Sequence, residues 1–125
     1  MYEVYVAASF EAAHRLVGDF GPASRMHGHT YRMEGIVRGR HLGDDGALYD
    51  IGRLGQAVND LAASLDYRNL NEVPGLSRVN TTAEAVADYC WEWLAPPLRA
   101  RGLDSLVVRI WESGDAYAAR EDKLD

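Results

Sequence analysis

Three of the chain's four histidines stand where they could share a metal ion. His14 ends the run Phe10-Glu11-Ala12-Ala13-His14, and His27 and His29 lie in Met26-His27-Gly28-His29-Thr30-Tyr31. In an extended strand, side chains two apart point to the same face, so His27 and His29 present two imidazoles to one point. His14 closes a run that alternates in the same way, with Tyr2, Val4, Val6, Ala8, Phe10, Ala12 and His14 on one side. A hairpin pairing the two strands would bring the third ring to the other two. Three neutral nitrogen ligands with an open fourth position form the kind of zinc site that polarises oxygens or lowers the pKa of bound water. A His-x-His in a strand is also what an ordinary polar face looks like; the gathering of three histidines in one hairpin is what favours the metal.

Holding such rings in place takes a folded scaffold, and 125 residues with 47% hydrophobic content suffice for one domain, residues 1–125, with a real core. A net charge of −6 and a pI near 5.1 leave no cationic footprint for nucleic acid. The start, Met1-Tyr2-Glu3-Val4-Tyr5, carries no basic, then apolar, leader, and no apolar run approaches membrane-spanning length, so no membrane partner is expected. The single cysteine, Cys90, cannot form an internal disulfide, which fits a reducing compartment and a cytoplasmic location.

The first strand is expected over Tyr2 to His14, followed by a loop punctuated by Gly18, Gly21 and Pro22. A second strand from His29 to Arg40 puts His29, Tyr31, Met33 and Val37 on one face; Arg32, Glu34, Arg38 and Arg40 on the other read as a solvated face or a barrel lumen. His41 falls in a turn. Asp50 can cap a helix with Ile51, Leu54, Val58, Leu61 and Leu65 at helical spacing, ending near Asp66. The connection Asp66 to Gly75 is irregular and rich in turn residues. Thr81-Thr82-Ala83-Glu84 reads as a capping box of Thr81 with Glu84, opening a second helix with core face Val86, Cys90, Trp93 and Leu94 that Pro96-Pro97 interrupts. Cys90, on that face, reads as packing. A third strand, Leu103 to Glu112, turns at Ser113-Gly114-Asp115 into a fourth, Ala116 to Arg120. Glu112 ends an otherwise apolar face, either because it reaches water at the strand end or because it has a task. The order strand, strand, helix, helix, strand, strand is an α+β domain: a four-stranded antiparallel sheet with two helices on one face.

Phe10-Glu11-Ala12-Ala13-His14, His27-Gly28-His29-Thr30-Tyr31, Leu65-Asp66-Tyr67-Arg68-Asn69-Leu70-Asn71, Asn80-Thr81-Thr82-Ala83-Glu84 and Ile110-Trp111-Glu112-Ser113 occur in this order over nearly the whole chain. Together they resemble the successive motifs of the 6-pyruvoyltetrahydropterin synthase and 6-carboxytetrahydropterin synthase family. The resemblance implies the tunnelling fold, in which four-stranded sheets join into a barrel as trimers and two trimers stack into a hexamer, with sites between subunits. It implies that His14, His27 and His29 hold zinc and that Glu112, supported by Thr81 and Thr82, anchors a pterin. An ionised carboxylate suits that task, because it can accept two parallel hydrogen bonds from the 2-amino and N3–H edge of a pterin. Zinc would then grip the two hydroxyls of the substrate side chain.

Two positions depart from the family. Its cysteine four residues before the first histidine of His-Gly-His is Ala23 here; some relatives carry a glutamate one residue later, and that is Ser24. The family's Asp-His pair becomes Asp66-Tyr67, and a phenol with a pKa near 10 donates a proton but does not accept one at neutral pH. A positioned acid or base is worth about a hundred- to ten-thousandfold in rate, so the usual chemistry is expected to be absent or very weak. Four functions follow: a pterin binder running a different or weakened zinc-dependent lyase-type reaction, a non-catalytic binder of a pterin or purine, an ordinary synthase with Tyr67 and Ser24 as substitutes, or a purely structural protein. For any proton transfer the candidates are Asp66 and Tyr67, then Ser24, Asp19 and Glu11.

Overall fold

Alternation of apolar residues over the two long amino-terminal runs makes the two longest strands of the computed structural model, which describes residues 1–125. Strand β1 (Tyr2–His14) pairs antiparallel with β2 (His27–Gly39) along its full length, from Tyr2 opposite Gly39 to His14 opposite His27. A short 3₁₀ turn, Gly21–Ser24, lies in the loop between them. Helix α1 (Ile51–Leu65) follows, then β3 (Arg68–Asn69), a 3₁₀ turn at Leu70–Glu72, helix α2 (Ala83–Arg99), β4 (Ser105–Ser113) and β5 (Ala116–Lys123). The sheet order is β3-β1-β2-β4-β5, with β3 parallel to β1 and every other neighbour antiparallel.

The α+β architecture matches expectation, but the sheet has five strands where four were expected. The extra one arises in the irregular connection, because the free edge of β1 offers unpaired backbone groups. Asp66 Oδ1 accepts from the Glu11 N–H at 2.8 Å and the Tyr67 N–H donates to the Glu11 carbonyl, which docks Arg68 and Asn69 alongside Ala12 and Ala13.

Both helices cover the face that carries Phe10, Tyr31, Met33, Val37, Leu106, Val108 and Ile110. Helix α1 packs mainly on β1, and α2 on β4 and β5. From α1, Leu54, Val58, Leu61 and Leu65 are buried, each contributing about 1.5–3 kcal/mol. Asp50 caps the helix by accepting from the Gly52 N–H, whereas Ile51, in the first turn, is exposed. A Cβ on Gly35 would lie 3.1 Å from Val58 Cγ2, so glycine at that point lets α1 close on the sheet.

Helix α2 corrects three expectations. Its N-cap is Thr82, whose hydroxyl accepts from the Ala85 N–H, while Thr81 is fully buried and turned elsewhere, so the box with Glu84 does not form. Helical backbone runs through Pro96 and Pro97 to Arg99. The carbonyls that lose their donors belong to Glu92 and Trp93, both exposed to water, while Leu94, Ala95 and Leu98 stay buried and hold the last turns down. Trp93 is 44% exposed, and Trp91 takes the core position, donating its Nε1–H to the Leu106 carbonyl. Being two residues apart on a helix, the two tryptophans face nearly opposite ways.

Candidate functional site

The β1–β2 register decides the site. His14 stands opposite His27 and Ala12 opposite His29, so the three imidazoles share the helix-covered face at the end of the hairpin. Ring centroids lie 4.6 Å (His14–His27), 5.2 Å (His14–His29) and 4.8 Å (His27–His29) apart, and one nitrogen from each ring falls within 4.8 Å of the others.

Two of the rings have a defined tautomer. His14 Nδ1–H donates to the Thr81 carbonyl at 2.7 Å, and His27 Nδ1–H donates to the Arg25 carbonyl at 2.7 Å. Each bond leaves an Nε2 lone pair free. Carbonyl-oriented imidazoles of this kind are how proteins prepare histidines for a metal. His14 is wholly buried, and burial, joined by the neighbouring His27 and His29, holds its pKa below the ordinary imidazole value against the pull of the Thr81 carbonyl. The Nε2 atoms of His14 and His29 are buried without a hydrogen-bond partner. A divalent cation is the group that would satisfy both, so the donor set fits the metal that the spacing suggested.

Glu112 comes to the same place from β4. The pairing of β4 with β5 shifts register between Trp111 and Ser113, which leaves Glu112 as the residue without a partner, the kind of irregularity that re-aims a side chain. Its Oε2 lies 3.3 Å from His29 Nε2, near enough for an ion pair although not aligned as a hydrogen bond. The carboxylate borders two grooves. One, of about 270 Å³, runs between the start of α2 and the β4–β5 hairpin past Ala83, Glu84 and Tyr117. The other, of about 530 Å³, passes Ser9, Arg32 and Trp111 on the opposite face of the sheet.

Thr81 backs the histidines: its carbonyl accepts from His14, and its hydroxyl lies 3.3 Å from both His14 Nδ1 and Asn71 Nδ2. Thr82 is the helix cap. Asp66 and Tyr67 stand at the β1–β3 edge. Asp66 is committed to the Glu11 N–H, and Tyr67, 84% exposed, lines a groove of about 500 Å³ with Glu11, Thr30 and Arg68. Ala12 and His29 also border this groove, at the end of the β1–β2 hairpin. The Thr30 hydroxyl donates to the Glu11 carboxylate there. Ser24 donates its hydroxyl to the Gly21 carbonyl within the 3₁₀ turn.

Two asparagines that spacing did not single out hold the end of β1 in place. Asn71 accepts from the Arg15 N–H and donates to the Arg15 carbonyl, and Asn80 does the same for Val17. Both stand in segments marked by turn-rich composition, but nothing local says which backbone they bracket.

The 6-pyruvoyl tetrahydropterin synthase family model matches residues 3–123. The chain belongs to that family. It is 30% identical over 102 residues to a 6-pyruvoyl tetrahydrobiopterin synthase of Dictyostelium discoideum, spanning 72% of this chain and 76% of the relative. It is 32% identical over 111 residues to a 6-carboxy-5,6,7,8-tetrahydropterin synthase of Synechocystis, spanning 85% and 81% of the two chains. The solved 6-pyruvoyl tetrahydropterin synthase of Caenorhabditis elegans superposes with a TM-score of 0.79 at 25% identity, over 98% of this chain and 96% of that one. The tunnelling fold of this family is therefore the fold of this chain. No helix is long and apolar enough to cross a membrane.

Proposed function

We propose that this member of the family binds a pterin-like substrate in a pocket between subunits, with Glu112 as the anchor and zinc on His14, His27 and His29, and that it lacks the standard synthase reaction or performs it very weakly. The observation that carries this reading is the convergence of three imidazoles, two of them oriented by backbone carbonyls, on the same end of the sheet as an otherwise misplaced carboxylate. Glu112 would accept two hydrogen bonds from the 2-amino and N3–H edge of the ring, with Thr81 and Thr82 framing the wall beside it. Zinc, when bound there, would supply a Lewis acid that acidifies oxygens bonded to it.

Proton transfer is where this chain falls short. Ala23 carries no proton. Ser24 has its hydroxyl in a turn and no base to activate it. Asp66 already accepts from the Glu11 N–H, and Tyr67 offers a phenol that donates only. Tyr67, exposed beside the edge strand β3, is placed where another copy could meet it, which supports assembly as a trimer or a hexamer of two trimers. The buried Cys90 suits a cytoplasmic protein. Any residual activity would be that of a carbon–oxygen lyase acting on a dihydropterin.

The test pairs metal content with fluorescence titration by neopterin and biopterin on one sample. Zinc near one per chain is expected, with pterin binding weakened about tenfold or more in Glu112→Ala, since charge-assisted bonds are worth about 1.5–3 kcal/mol each. Unchanged affinity in Glu112→Ala would refute the anchor. The engaged Ser24 hydroxyl also favours a second reading, a non-catalytic binder of a pterin or purine, which any product detected by mass spectrometry would exclude. Clean conversion of 7,8-dihydroneopterin triphosphate would instead show an ordinary synthase.

A further inference from the structure

Three buried side-chain polar atoms lack a hydrogen-bond partner: His14 Nε2, His29 Nε2 and the hydroxyl oxygen of Tyr31. A metal ion accounts for the first two and leaves the third unexplained. Tyr31 is wholly buried, stacks on Phe10 with ring centroids 5.0 Å apart, and meets the rings of His14 and His29 edge-on at 5.9 and 5.2 Å. Phenylalanine would stack equally well. A buried hydroxyl without a partner is unfavourable, so its presence calls for a partner outside the free chain.

Its place on the sheet narrows what that partner is. The β2–β4 ladder pairs Met33 with Ile110 and ends at Arg32 with Trp111, so Tyr31 and Glu112 are the next residue of each strand at the same end of the sheet. A phenol, with an ordinary pKa near 10, is a neutral donor at neutral pH. The rings of His14 and His29 meet the Tyr31 ring edge-on and the Glu112 carboxylate leans on His29, so the phenol stands beside the site.

Resting on the pterin reading of Glu112, we infer that the Tyr31 hydroxyl donates a hydrogen bond to the ring carbonyl beside the N–H edge that Glu112 accepts from. A carboxylate can serve only donors. A 2-amino-4-oxo heterocycle presents two donors and, next to N3, a carbonyl oxygen that Glu112 would repel. The edge therefore needs a donor adjoining the carboxylate, and Tyr31 is the neighbouring side chain that supplies one. Together the pair selects a donor, donor, acceptor edge, which makes Tyr31 a specificity residue of the pocket.

Tyr31→Phe removes the hydroxyl and keeps the stack. Titration with neopterin and with pterin lacking a 6-substituent should show both weakened about three- to tenfold, and by the same factor, because the contact is to the ring. The thermal midpoint of the free variant should be no lower than that of the parent, since the hydroxyl bonds nothing there. Unchanged affinities, a loss confined to neopterin, or a lowered midpoint would each overturn the assignment. If Glu112→Ala still weakens binding while Tyr31→Phe does not, this inference alone falls. If the parent protein binds neither pterin, the Glu112 reading falls and takes this one with it.

Discussion

His14 donates its Nδ1 proton to the Thr81 carbonyl across 2.7 Å, tying the end of β1 to the residue before the cap of α2. Asn71 steadies both partners, bracketing the Arg15 backbone through two bonds and reaching the Thr81 hydroxyl. Asn71→Ala should therefore lower zinc affinity about tenfold or more, read by competition with a chelator, and destabilise the fold by about 1–3 kcal/mol in urea. Asn80→Ala, which frees Val17 farther from the imidazole, should cost similar stability with a smaller change in affinity. Equal zinc affinities in Asn71→Ala and the parent would show that the strand end is held without that clamp.

Glu34 is 7% exposed on the sheet face away from the helices, where it accepts from the Trp111 indole N–H with Arg109 3.9 Å away. Burial pushes its carboxyl up, but hydrogen bonds from Trp111 and Tyr5 and the charges of Arg109 and Arg32 outweigh burial and hold it below its ordinary value of 4.5. A carboxyl lowered by folding stabilises above its unfolded value and loses that contribution as the pH falls through the folded one. Glu34→Gln should thus be less stable than the parent at neutral pH, with the gap narrowing as the pH drops below 4.5. Urea midpoints at several pH values measure this, and a constant gap would contradict it.

Tyr67 has a φ of 57°, the left-handed region that side chains with a Cβ occupy at a cost, and it is 84% exposed. Tyr67→Gly should stabilise the protein by about 0.5–1 kcal/mol, the relief of left-handed strain less the extra freedom of glycine when unfolded. A fall in thermal midpoint would mean that the phenol makes a stabilising contact, for instance with another copy.

Restoring the family's residues tests the catalytic reading directly. Histidine tolerates the left-handed region better than most residues and accepts protons near neutrality. Ala23→Cys with Tyr67→His should raise conversion of 7,8-dihydroneopterin triphosphate about a hundredfold or more over the parent. No gain in a folded, zinc-loaded double variant would place the deficit elsewhere.

Arg120 fastens β5 to α2. Its guanidinium sits 3.9 Å from the Trp91 ring centroid and pairs with Asp88 at 2.5 Å, Glu92 at 2.9 Å and Asp122 at 3.2 Å. Arg120→Ala should destabilise by about 1–3 kcal/mol and Arg120→Lys by less, since lysine keeps charge but not the planar stack. High salt should shrink the Arg120→Ala loss only in part, because it screens the ion pairs and leaves the ring contact. Complete abolition by salt would assign the whole effect to charge.

By itself the sequence determined the parts whose cause is local. Period-two alternation put His14, His27 and His29 on one face and Glu112 at the end of another apolar face, and Asp50 before a 3.6-residue stripe marked α1. Tertiary structure decided which groups those parts meet. The rotation of α2 chose Trp91 over Trp93 for the core, and Thr81 left the expected capping box to face a histidine 67 positions away. The edge of β1 drew in a fifth strand and left Tyr67 exposed beside it. Periodicity tells a side chain which face it takes. The partner it finds there depends on how distant elements pack and where their backbone carbonyls point, and no local pattern encodes either.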